Sequence, residues 1–95
     1  MKCPLVIIHW QDSSQPLPAW KHLSDLPEFV ATECASVGWL LRSDKRIKVL
    51  AQSLGGMEKP DGSNAQGMGI MTIPASCVVS LEHLGEKKKR KGKRK

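Results

Sequence analysis

The apolar residues of this chain come in short stretches with a period of two, each closed within a few residues by proline, glycine or aspartate. A period of two sends alternate side chains to opposite faces of a strand, and turn residues at every boundary leave little room for helices. Residues 5–10 are apolar on both faces: Val6, Ile8 and Trp10 point one way, Leu5, Ile7 and His9 the other, as in a central or enclosed strand. The turn-rich stretch 11–18, QDSSQPLP, ends it. Residues 19–26 are expected to form a short helix, with Pro18 at its first turn, Pro27 at its end and Trp20 docking it onto the sheet. Residues 29–41 form the longest expected strand. Ala35, Val37, Trp39 and Leu41 line one face, and Thr32, Cys34, Ser36 and Gly38 line a smaller, semi-polar one. Gly38 marks a bulge or a strong bend. A polar hairpin loop at 43–46 leads into a strand at 47–53. A long mobile loop at 54–67, rich in Gly, Pro, Asp and Asn, precedes a strand at 68–73. A tight turn at 74–76 then leads to a last short strand at 77–81.

Charge divides the chain differently. Of its 95 residues, 15 are Lys or Arg and nine are Asp or Glu, for a formal net charge of +6. Residues 87–95 read KKKRKGKRK and alone carry +8, so residues 1–86 carry a net of −2. The basic character belongs to the end of the chain and not to its body. Eight charges in nine residues repel one another and cannot pack, so residues 86–95 are expected to be a disordered polybasic tail behind a single domain at 1–85.

Three odd, scattered cysteines, Cys3, Cys34 and Cys77, imply free thiols in a reducing compartment rather than a disulfide framework. The N-terminal apolar run, Leu5 to Ile8, is too short for a signal-peptide core, and no stretch reaches the ~20 apolar residues of a membrane span. The expectation is a cytoplasmic protein without membrane attachment.

The stretch Ile73-Pro74-Ala75-Ser76-Cys77-Val78-Val79-Ser80-Leu81 is similar to the end of SH3-like barrels, where the fourth strand stops at a proline, one 3₁₀ turn follows, and a short strand closes the barrel. His9-Trp10, Val37-Gly38-Trp39-Leu40 and Ile73-Pro74 together resemble small bacteriophage-encoded proteins, a resemblance that spans most of residues 5–84 and brings no function with it. The resulting expectation is a mainly β fold. It is a small five-stranded SH3-like or Sm-like barrel, or a strongly bent antiparallel sheet, with one short helix. If the chain is phage-encoded, its compartment is the host cytoplasm. SH3 domains that grip proline-rich peptides do so with clustered Tyr and Trp. This chain has no Tyr, and Cys77 stands where an aromatic is expected, so that mode of recognition is not implied.

Little in the sequence points to catalysis. His9, His22 and His83 are far apart, and none has the spacing of a zinc pair with a cysteine. Cys34 or Cys77 with a histidine would be the only nucleophile–base candidates, and no local motif supports them. Asp12, Asp25, Asp44 and Asp61 stand in turns or at a helix end, where aspartate serves the backbone. The glycine-rich loop lacks the GKS or GKT ending of a phosphate-binding loop. The chain therefore reads as a non-enzymatic protein with no cofactor and no metal.

Two binding modes remain. Lys87, Lys88, Lys89, Arg90, Lys91, Lys93, Arg94 and Lys95 would hold nucleic acid through its phosphates, without sequence preference. Alternatively, the barrel surface and loop 54–67, with Met57 and Met68 flanking its polar centre, would bind a host protein or sequester a small ligand, in an oligomer that pairs strand edges. Trp10 and Trp39 sit in apolar alternations and are expected in the core. Trp20, beside Lys21, is the tryptophan placed to stack on a base or touch a partner.

Overall fold

A computed structural model describes residues 3–85, and these form one five-stranded antiparallel sheet with almost no helix. The strands are β1 (Leu5–Asp12), β2 (Thr32–Ser43), β3 (Ile47–Gly55), β4 (Gln66–Pro74) and β5 (Val78–His83), arranged in the order β4-β3-β2-β1-β5. Each of the first three pairs with the next, and β5 returns to pair with β1. The doubly apolar pattern of β1 is explained by this position at the interior of the sheet, between β2 and β5.

Hydrogen bonding does not close the sheet, so β4 and β5 are free edges and a barrel is not shown. The sheet nevertheless rolls. Only a 3₁₀ turn, Ala75–Cys77, separates β4 from β5, although the two strands lie at opposite edges. Three residues span about 10 Å at most, so the edges must approach each other at that end. The core confirms the curl: Val6 and Ile8 of β1, Leu50 of β3 and Ile73 of β4 form one buried cluster. Trp10, Leu40, Cys77, Val78 and Leu81 pack against it. Residues from both edge strands thus meet over one face.

The register explains which side chains enter this core. Val6 lies opposite Gly38, Ile8 opposite Ser36, and Trp10 opposite Cys34. The small, semi-polar face of β2 is therefore the inward one. Its smallness leaves room for Val6, Ile8 and Trp10, and Ser36 Oγ accepts a hydrogen bond from Trp10 Nε1 at 3.0 Å. Gly38 is buried. A Cβ there would sit 2.8 Å from the Ala51 carbonyl oxygen and 3.2 Å from Leu50 Cβ, so this position admits only glycine without repacking. The β2–β3 register shift falls slightly later, between Leu40 and Arg42. Trp39 is half-buried on the opposite face, in a row that runs Leu5–Trp39–Ala51–Ile70 across four strands, and is not part of the core cluster. Of the two tryptophans expected inside, Trp10 packs on the core and Trp39 does not.

The expected helix over 19–26 does not form. A single 3₁₀ turn, Leu23–Asp25, stands there, flanked by His22 and Leu26 in extended conformation. Two turns of helix with Pro18 and Pro27 at their ends have too few backbone hydrogen bonds to offset nucleation, and no tertiary face supports them. Trp20 is fully exposed and does not dock on the sheet. The longest strand begins at Thr32 rather than Phe29, and Phe29 and Val30 lie outside the sheet.

Asp44 organises the β2–β3 hairpin. Its Oδ1 accepts from the backbone N–H of Arg46 at 2.8 Å and of Ile47 at 2.9 Å, and Arg42 Nε donates to Oδ2 at 3.0 Å. The two backbone donors, first that of Ile47, hold the Asp44 carboxyl below its ordinary value. Because the folded-state value is the lower one, the stabilisation is present above the unfolded pKa and is lost as pH falls through the folded one. Asp44→Asn is expected to lower the melting temperature near neutral pH, with the gap to wild type narrowing as the pH is taken below about 4. Parallel thermal melts across that range check it. A gap independent of pH would mean that the carboxylate charge is not what holds the turn.

Candidate interaction surface

The longest excursion from the sheet is the 13–31 connection between β1 and β2. Its base is fastened: Ser13 N–H donates to Asp12 Oδ1 at 2.8 Å, Ser14 Oγ donates to the Val30 carbonyl, and Thr32 Oγ1 donates to the Ser13 carbonyl at 3.4 Å. Pro16, Pro18 and Pro27 keep the excursion extended, and its one 3₁₀ turn is closed by Asp25 N–H to the His22 carbonyl at 2.9 Å. The connection is therefore an arm anchored at its base, with φ fixed at three prolines.

What the arm presents is apolar. Trp20 is fully exposed, Leu23 is 83% exposed, Phe29 71% and Val30 68%. Leu17, Pro18, Trp20, Leu23 and Leu26 line a shallow, open groove on it, with Lys21 at the margin. Set against only five buried apolar residues in the described domain, Val6, Ile8, Leu50, Ala51 and Ile73, this is a large share of the apolar surface left outside. Exposed apolar side chains concentrated on one segment are unusual for a folded surface. The sequence singled out Trp20 and Lys21. It missed Leu23, Phe29 and Val30, because the first was read into a helix and the other two into a strand.

The other expected binding element is differently built. β3 runs on to Gly55 and β4 begins at Gln66, so the loop read as 54–67 shrinks to 56–65. It is wound into turns: Gly62 N–H donates to the Lys59 carbonyl at 2.9 Å, Ala65 N–H to the Gly62 carbonyl at 3.0 Å, and Ser63 N–H to Asp61 Oδ1 at 2.9 Å. Gly56 has φ +65°, and a Cβ there would run into the Asn64 carbonyl, so the loop closes tightly on itself. Met57, inside the loop, and Met68, on β4, are exposed. The apolar display on this loop is small beside that of the arm.

A shallow recess across β1, β2 and β5 brings His9, Glu33, Cys34 and Ser80 near one another. It does not assemble a nucleophile and base. His9 is in register with Ala35, whereas Cys34 is in register with Trp10, so the two side chains leave opposite faces of the sheet. Cys34 Sγ is oriented toward the Thr32 carbonyl at 3.7 Å. Among the described residues, no group of three His, Cys, Asp or Glu side chains is placed to hold a metal ion. No helix among them is long and apolar enough to cross a membrane.

The basic stretch, Lys87, Lys88, Lys89, Arg90, Lys91, Lys93, Arg94 and Lys95, lies outside the described residues. No protein-family model, no curated protein and no solved structure matches this chain.

Proposed function

We propose that this protein is a non-enzymatic binding module whose arm, residues 13–31, docks onto another protein through Trp20 and the apolar side chains around it. The observation that carries the reading is the full exposure of Trp20 on an arm anchored at its base. Three prolines reduce the conformational freedom the arm loses on binding, and tryptophan is among the residue types most enriched at interface hot spots. Lys21 and Asp25 at its margin supply a polar rim. The described domain carries nearly balanced charge, so its contact is governed by burial of apolar surface and survives salt.

The finer fold reading belongs to the same proposal. The strand order, the proline that ends β4 and the 3₁₀ turn before β5 support an SH3-like or Sm-like barrel left open between its edge strands. The resemblance to small phage-encoded proteins makes a factor of the host cytoplasm the class of partner for the arm. A second mode, nonspecific contact with nucleic acid through Lys87 to Lys95, rests on the +8 charge of that stretch.

A photo-reactive amino acid placed at Lys21, beside an intact Trp20, and in a second variant at Glu58 on the turn-wound loop, tests the docking role in cell extract. One discrete protein crosslinked from position 21 but not from 58, in high salt and without residues 87–95, is the expected result. Equal labelling from both positions would reject the arm as the docking element. Trp20→Ala is expected to abolish the partner interaction while changing folding stability by no more than about 0.5 kcal/mol, because the side chain touches nothing in the folded domain.

A further inference from the structure

We infer that β4 is a pairing edge, and that its occupant is the β4 strand of a second copy of this chain. The two edges of the sheet are treated unequally. β5 is six residues long and carries Glu82 and His83, the length and polarity that discourage strand addition. β4 is nine residues long, QGMGIMTIP, and carries no charged residue. All its residues except Ile73 are exposed, with Met68 at 66%, Ile70 at 56% and Met71 at 40%. Its only proline stands at the last position, where it ends the strand and leaves the rest of the edge open. Gly69 has φ +66° and adds a local twist. The pairing of β4 with β3 keeps one register on both sides of it, from Ile47 opposite Pro74 to Gly55 opposite Gln66. Strand backbone on both sides of Gly69 is therefore available at this edge beside exposed apolar side chains.

Charge selects the occupant. A copy of β4 brings no charge to the contact, so two such strands meet with no like-charge pair across the interface. Pairing through β5 would instead place the Glu82 carboxylates of two copies in the contact, where like charges repel. An antiparallel β4–β4′ contact is isologous, so it closes as a dimer and does not propagate into fibres. It also extends the row Leu5–Trp39–Ala51–Ile70, whose exposed member is Ile70, across the two-fold axis, so that Ile70 of each copy covers apolar surface of the other. The arm at 13–31 is not part of this contact, so dimerisation stands or falls independently of partner docking.

Sedimentation velocity of the full chain over a range of concentrations reads the assembly directly. The expected result is a monomer–dimer equilibrium that Ile70→Lys shifts to monomer and Val79→Lys, on the β5 edge, leaves intact. Circular dichroism checks that Ile70→Lys keeps its strands. Should it not, hydrogen exchange on the wild-type chain decides, because amides of Gln66–Thr72 gain protection with concentration only if this edge pairs. A monomer at about 100 µM, well above the dissociation constants of specific complexes, would overturn the inference. So would assembly lost in Val79→Lys but kept in Ile70→Lys, or closed species larger than a dimer.

Discussion

Ile8→Ala is expected to cost about 2–5 kcal/mol of folding stability, the range for removing a large aliphatic side chain from a closed core. Ile8 is completely buried on β1, an interior strand, paired with Ser36 on one side and Leu81 on the other. Both neighbouring strands hold its backbone in place, and the residue opposite is a serine already engaged by Trp10. The site therefore cannot collapse around the missing atoms, and the upper part of the range applies. A domain of this size has about 4–12 kcal/mol in total, at roughly 0.05–0.15 kcal/mol per residue. One substitution thus removes a large share of it, and the melting temperature should drop by more than about 10 °C. Trp20→Ala is the internal contrast, a larger side chain whose removal leaves the melt almost unmoved. If Ile8→Ala cost less than about 1 kcal/mol, the inward face of β1 would have to be the one carrying Leu5, Ile7 and His9 instead.

The contrast between Ile8 and Trp20 also shows what the sequence could and could not convey. Strands were legible because their signal is local. The alternation of residues 5–10 and 47–53, and the proline at 74, depend on neighbours within a few positions, and β1, β3 and β4 appear where they read. Which face of β2 turns inward was not legible from its composition, since the more apolar face is the outer one. The deciding fact is the register with β1, which sets Gly38 against Val6 and Ser36 against Ile8. Closure was illegible for a similar reason. Whether β4 and β5 bond across a gap depends on the accumulated twist of five strands, and no single residue encodes that.

The arm failed for the opposite cause. Pro18, Trp20, Leu23 and Pro27 together satisfy a helix pattern, but that pattern describes a helix only when something packs on its apolar face. Nothing in the domain does, so the same residues are left extended and exposed. Helix-like apolar spacing bounded by prolines, beside a sheet that already has its core, leaves its apolar side chains at the surface. The sequence allowed two outcomes for Trp20, docking on the sheet and contact with a base or partner, and the structure excludes the first.

Removing residues 87–95 is expected to have the largest effect on nucleic-acid binding. Residues 1–86 carry a net charge of −2, so they give the phosphate backbone no electrostatic reason to associate. The removed stretch carries +8. If all eight charges engage duplex phosphates, the logarithm of the association constant should fall against the logarithm of salt with a slope of about −7, at roughly 0.9 per phosphate neutralised. Between about 50 and 200 mM salt that slope alone weakens binding by around 10⁴-fold. On single strands the slope should be shallower, about −6, because fewer counterions are released per contact. Fluorescence anisotropy with short duplex DNA and single-stranded RNA, comparing the full chain with 1–86 at both salt concentrations, measures all of these. Loss of binding with the tail, together with a steep slope, assigns nucleic-acid affinity to Lys87–Lys95 and leaves the arm free for a protein. Retained binding by 1–86 with little salt dependence would shift the assignment to Trp20, since stacking on a base is the one attraction to nucleic acid that an uncharged, exposed aromatic ring can supply without phosphate neutralisation.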